Sequence, residues 1–250
     1  MTAPVSAPLV AVRRAIDVAA LTAWINASLA GGASADDVSD AADAVGLRQV
    51  RGDGGRQTPL LEFAALRGAG YRQAVLVLPA PGDVLGLTGP AQVNRHALRS
   101  GAAIVVSAAN DASAAVLVPD EPDWARYDVA LPPAAVAAWP TLRQARSEFA
   151  EAISQHATAI SDLDVAADPR GLQAAVLAAD DQPLPPLPPE LDDERRALLG
   201  RARLVALSVA VAAVDDGASI SAAEAVSRSQ HLRDLAAVAR RAIAAAVSSP

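Results

Sequence analysis

Gly82, Gly86 and Gly89 punctuate the segment 79–90, PAPGDVLGLTGP, and Asn94, Arg95, His96 and Arg99 follow closely behind it. Glycine admits positive φ and close backbone approach to a ligand, and Gly89 with Pro90 prepares a helix start whose first amides have no internal partner. Arg95 and Arg99 lie one turn apart on that helix. With Thr88 and Asn94 as further polar members, the set is a cluster of donors suited to a phosphate or a carboxylate. Asp83, directly after a glycine, either caps its own turn or, if buried, serves as an acid or base. The segment is neither GxGxxG nor a Walker loop, and Gly-Pro punctuation also serves any chain leaving a strand for a helix. A plain turn and a ligand cradle therefore both account for it.

Other chemistry-bearing residues point to less. DDVSDA, starting at Asp36, places carboxylates at i, i+1 and i+4, the DDxxD spacing with which class I isoprenoid synthases hold magnesium and a diphosphate. The resemblance stops there: Asp215, Asp216 and Ser219 begin a second such motif, but Glu224 lies one residue too far along the helix. Aromatic residues are only 3% of the chain, too few to line a carbocation cavity. Acidic residues at two helix starts explain both clusters, since the helix dipole favours them there. The three histidines, His96, His156 and His231, are far apart and lack the i, i+4 spacing of a helical HExxH zinc motif, and no metal site is expected. With no cysteine in the chain, thiolate metal sites, thiol nucleophiles and disulfides are excluded, and no cofactor is implied.

Elements that position these residues follow from periodicity and punctuation. An amphipathic helix runs from 9 to 29 and ends at Gly31 and Gly32. A second, 35–45, is capped by Ser34, and a third starts at Thr58 with Pro59 and closes at Gly68 and Gly70. Between them, RGDGGRQ at 51–57 reads as a turn or loop. Strand-like runs at 74–78, 102–107, 114–118 and 125–131 predict a small, mainly antiparallel sheet, with Trp124 and Tyr127 on a packed last strand and Trp139 at the junction beyond it. Helical stripes then take over: Leu142, Ala145, Phe149, Ile153 and Ile160, with His156 in line; Leu172, Val176 and Leu177; and, after a Ser221/Glu224 capping box, Leu232, Leu235, Ala239, Ala242 and Ala246. The stretch 182–189, QPLPPLPP, must run extended and reads as a spacer between helices, although it also carries the PxxP spacing of a docking peptide. The expected fold is α+β: a helix-and-sheet portion over 1–132 packed on a helical bundle over 133–250, in two parts or as one continuous domain.

Composition narrows the function classes. The chain has 250 residues, 52% of them hydrophobic, about a quarter alanine, and every basic residue is Arg. A formal net charge of -7 argues against nonspecific attraction to nucleic acid or to anionic lipid. The N-terminus lacks the order of a signal peptide, and the most apolar run, 204–214, is 11 residues against the roughly 20 of a membrane span, so a soluble cytoplasmic protein is expected. The order LPAPGDVLGLTGP, a helix ending in Ser-Gly, then a strand pair ending in Val-Pro resembles a pattern of uncharacterised actinobacterial proteins, a resemblance that implies no activity. Without a nucleophile, base and orienting group at recognisable spacing, the expectation is a binding or interaction protein whose Ala-rich helices suit self-association or a protein partner. The alternative is an enzyme or sensor for a small anionic metabolite at 79–99.

Overall fold

A computed structural model describes residues 6–84, 87, 89–108, 113–130, 139–163, 174, 176–177, 180, 184–213 and 222–248, with backbone alone at 156–163 and 222–224. The elements are α1 (Ala7–Leu29), α2 (Ala35–Ala44), β1 (Val50–Gly52), β2 (Gly55–Gln57), α3 (Pro59–Gly68), β3 (Gln73–Val77), α4 (Ala91–Ser100), β4 (Ala103–Ser107), β5 (Ser113–Asp120), β6 (Asp123–Ala130), α5 (Leu142–Leu163), α6 (Asp193–Ala212) and α7 (Ala222–Val247). The α+β class is as expected.

Helix boundaries follow the punctuation. Past the end of α1, Gly31 takes φ +86°, a left-handed conformation that side chains with a Cβ avoid. Ser34 caps α2 by accepting from the Asp37 amide, and Asp37 returns a carboxylate to the Ser34 amide, a full capping box. Thr58 caps α3 with Pro59 in its first turn. The Ser221/Glu224 box lies outside the described side chains.

The sheet has six strands in the order β2-β1-β6-β5-β4-β3. Its pairings are antiparallel except for β1 with β6, which run parallel, so the sheet is mixed. Two features correct the sequence reading. RGDGGRQ, read as a turn or loop, is a turn that carries strands on both sides: Val50 of β1 pairs with Gln57 of β2, and Gly55, the first residue of β2, has φ +100°. Trp124 and Tyr127 stand on opposite faces, because an odd separation along a strand reverses the side. Trp124 joins the core beneath α1, and Tyr127 packs in the core beneath α4.

Alternation along the buried strands creates these two cores. Leu76, Leu78, Ile104 and Leu117 face α1 and, beyond it, α6 and α7, whereas Val77, Val105, Val116 and Val118 face Val93 and Ala97 of α4. α1 is largely buried from Ala15 to Ser28, where it is the middle layer between sheet and C-terminal helices. Within the helical layer Ala145, Phe149, Leu232, Leu235, Ala239, Ala242 and Ala246 are buried, as the stripes predict, and alanine at these positions lets helices approach closely. Leu177 departs from its stripe and is exposed, while Leu172 and the side chain of Ile160 lie outside the described residues.

β3 is an edge strand, and side chains close its open side. Asn26 of α1 accepts from the Ala74 amide at 2.7 Å and donates to the Ala74 carbonyl at 2.8 Å and to Val247 O at 2.9 Å. Ser248 Oγ accepts from the Leu76 amide at 3.0 Å. Arg195 of α6 caps the same helix end through the carbonyls of Ala245 and Ser248. The proline-rich stretch is also tied down: Trp24 donates its indole N–H to Pro186 O at 2.9 Å, and Arg196 donates to the carbonyls of Pro188 and Leu191.

Candidate functional site

Leu78, the residue just past β3, is fully buried, and the chain then turns sharply. Ala80 and Asp83 exchange backbone hydrogen bonds of 2.8 and 2.9 Å around Gly82, whose φ is +83°. Pro79 and Pro81 have no N–H to offer. The first half of the loop therefore presents few amides to an anion. Asp83 instead points to α7, with Oδ2 3.5 Å from Arg240 Nη2 and 3.9 Å from Arg241 Nη2; Arg241 also faces Glu148 of α5 at 3.4 Å.

Between this turn, α1, α6 and α7 lies a cleft of about 870 Å³, within the size range of small-molecule sites. Its walls are mainly alkyl. Pro8, Val12 and Ala15 come from α1, Leu78 and Pro81 from the turn, and Val209 and Ala210 from α6. α7 contributes Ala225, Ser229, Leu232, Ala236, Arg240 and Ile243, spaced by three and four so that they form one row along the helix. The ionisable side chains lining the cleft, among the described residues, are Arg228, Arg233 and Arg240. Arg228 donates to Ala212 O at the end of α6, and exposed Arg233 donates to Gln230. Arg240 is half-buried, and its Nε is shielded from solvent with no hydrogen-bond partner. Burial lowers its pKa, an effect that the Asp83 carboxylate opposes.

The other residues singled out in the sequence are dispersed around this cleft. Gly86 and Thr88 lie outside the described residues. Gly89 leads into α4, where Asn94 has a buried Oδ1 without a hydrogen bond, and Arg95 and Arg99 are exposed. Neither arginine lines the cleft, although Gly101 at the end of the same helix does. His96 turns instead to the sheet, its Nδ1 2.9 Å from the Tyr127 hydroxyl and its Nε2 3.6 Å from Asp120. Asp37 is engaged in the α2 cap, with Asp36 and Asp40 exposed on the same helix; Asp215 and Asp216 are outside the described residues. Among the described residues, no group of three or more His, Asp or Glu side chains converges as a metal site, and no helix is long and apolar enough to cross a membrane.

The three cleft arginines escaped the sequence reading, which followed the inward stripe of α7 and not the row beside it. The available signal was a second row of small and aliphatic residues, Ala225, Ser229, Leu232 and Ala236, interrupted by Arg240.

Two family models match the chain: Rv1486c-like protein, N-terminal domain, over residues 18–141, and Rv1486c-like protein, C-terminal domain, over residues 143–244. No curated protein and no solved structure matches it. With the two models together matching residues 18–141 and 143–244, and in keeping with the actinobacterial resemblance of its 79–90 loop, the chain belongs to the Rv1486c-like family.

Proposed function

We propose that the chain is a cytoplasmic binding protein whose site is the cleft between α1, the turn after β3, α6 and α7, and that its ligand is a small molecule with an apolar body and an acidic group. The observation that carries this reading is the pairing of alkyl walls with a lining charge that is entirely basic among the described residues. Alkyl walls favour an apolar body at roughly 25 cal/mol per Å² removed from water, and a guanidinium half-withdrawn from water favours an anion. Such groups hold and orient a ligand. The first three residues of the 79–90 loop, Pro79, Ala80 and Pro81, form part of the wall.

Anilinonaphthalene sulfonate, an apolar ring system with one fixed negative charge, is a suitable first probe. Titration should give saturable fluorescence enhancement at one site per chain. Ala236→Trp, which fills the cleft from a half-buried position without replacing an arginine, should reduce the enhancement at least tenfold while leaving the circular dichroism spectrum unchanged. Equal enhancement in the folded variant would place dye binding elsewhere and remove the support for this site.

A further inference from the structure

We infer that the acidic group of the ligand is a carboxylate anchored by Arg240 beside Asp83, and that its body is an unbranched aliphatic chain lying along α7 towards Ala225. This inference rests on the cleft being the binding site, as proposed above.

The shape of the cleft favours such a chain. From Ala225 to Arg240 the helix rises about 22 Å, and both residues line the same cleft. A ligand extended along the helix can therefore run from one of these residues to the other within a single cleft, whereas a compact metabolite would occupy only part of it. Between the two ends, the α7 row offers Ser229, Leu232 and Ala236, with Val209 and Ala210 of α6 opposite. Alanine leaves the floor smooth, so no branch or ring is needed to fill side pockets.

The head is placed by comparing the three arginines. Arg228 hydrogen-bonds the end of α6, which holds it to a structural contact. Arg233 is exposed, where water and salt screen its attraction. Arg240 is the half-buried one, and its Nε is a shielded donor without an acceptor. That Nε is out of reach of the cleft, so a ligand carboxylate would meet the part of the guanidinium that is still exposed, whose partial withdrawal from water strengthens the attraction. Asp83 already faces one part of that guanidinium, with its Oδ2 3.5 Å from Nη2. The ligand carboxylate therefore shares the guanidinium with Asp83, and the two anions repel each other. Asp83 thus limits the affinity for the acid and has no such effect on a neutral analogue.

Calorimetric titration of octanoate, decanoate, dodecanoate and dodecanol into the full chain tests the inference. Kd for the acids should fall about fourfold for each added methylene, the increment expected for burying a CH₂ group. Dodecanoate should bind at least tenfold more tightly than dodecanol. Arg240→Gln should abolish that preference, and Arg233→Gln should preserve it. Asp83→Asn, which leaves Arg240 in place, should tighten dodecanoate several-fold and leave dodecanol unchanged; this arm decides the matter if Arg240→Gln does not fold. Equal affinity for acid and alcohol, or a preference lost in Arg233→Gln alone, or an unaltered dodecanoate Kd in Asp83→Asn, would overturn the Arg240 anchor while leaving the cleft reading intact. An absent chain-length dependence, with acid still preferred, would overturn the aliphatic body. Failure of every amphiphile, together with dye binding that ignores Ala236→Trp, would overturn the cleft reading itself.

Discussion

A carboxylate at Glu62 is almost wholly enclosed, 2% exposed, and Arg126 of β6 meets its Oε1 at 2.8 Å while also holding Asp128. Burial outweighs the attraction of the guanidinium and raises the Glu62 pKa above its ordinary 4.5. The folded state consequently holds the proton more tightly than the unfolded chain. Stability from this source is complete below the ordinary value and declines as pH rises through the raised one. Glu62→Gln should therefore gain on the wild type as pH increases from about 4 to about 7, seen as a wild-type minus variant difference in denaturation midpoint that moves against the wild type. A constant difference across that range would show that Glu62 does not titrate in this way. At this scale the sequence was informative about local relations and silent about distant ones. Asp83 was recognisable as a turn residue from the glycine before it, but its pairing with Arg240 and Arg241 depends on how α7 packs, which no spacing encodes. The same holds for His96, whose neighbours Tyr127 and Asp120 arrive from other strands.

Among the elements, α1 does the most positioning, since it contacts the sheet on one side and the C-terminal helices on the other. Asn26 is where those contacts become directional, joining α1, β3 and the end of α7 by three hydrogen bonds. Asn26→Ala should cost about 2–4 kcal/mol, because it leaves the fully buried Ala74 with an unpaired N–H and carbonyl, and hydrogen exchange at β3 should accelerate well beyond that at β4. Uniform acceleration throughout the sheet would mean that the amide is not a local clamp. Helix ends were the most legible elements, because Ser34, Thr58, Pro59 and Gly31 act through bonds made within a few residues. The β1–β2 hairpin was obscured by its three-residue strands and by its glycines, which weaken any alternating pattern. Its parallel alignment with β6 is a tertiary matter. The described part of the proline-rich stretch, 184–189, forms neither helix nor strand, and its attachment to Trp24 and Arg196 requires the assembled fold.

For the molecule as a whole, the boundary between the two family models falls at residue 142, the first residue of α5. The packing does not respect that boundary. Leu21, Ile104 and Leu117 from the first part share one core with Leu198, Leu199, Ala239 and Ile243 from the second. The full chain should therefore unfold in a single calorimetric transition, and residues 1–141 expressed alone should lack near-ultraviolet circular dichroism, since one face of α1 would lose its cover. Two separated transitions, or a well-packed 1–141 fragment, would show that the halves fold independently. The α+β class was visible because helix and strand periods segregate along the chain; the placement of α1 as a middle layer, and with it the cleft, was not. A helix apolar on nearly every side can be buried in several ways, and α1 gives few clues as to which.

The closing of β3 also bears on how the protein behaves when crowded. Uncovered backbone at a sheet border is the usual nucleus for fibrils and for exchange of segments between copies, since any extended peptide can add to it. Here one border is occupied by the side chains of Asn26 and Ser248, and the other is the three-residue β2. A polypeptide so rich in aliphatic strands thus carries its own protection against growing into a larger sheet, and the Ser248 share of that protection is lost as soon as the final helix comes away.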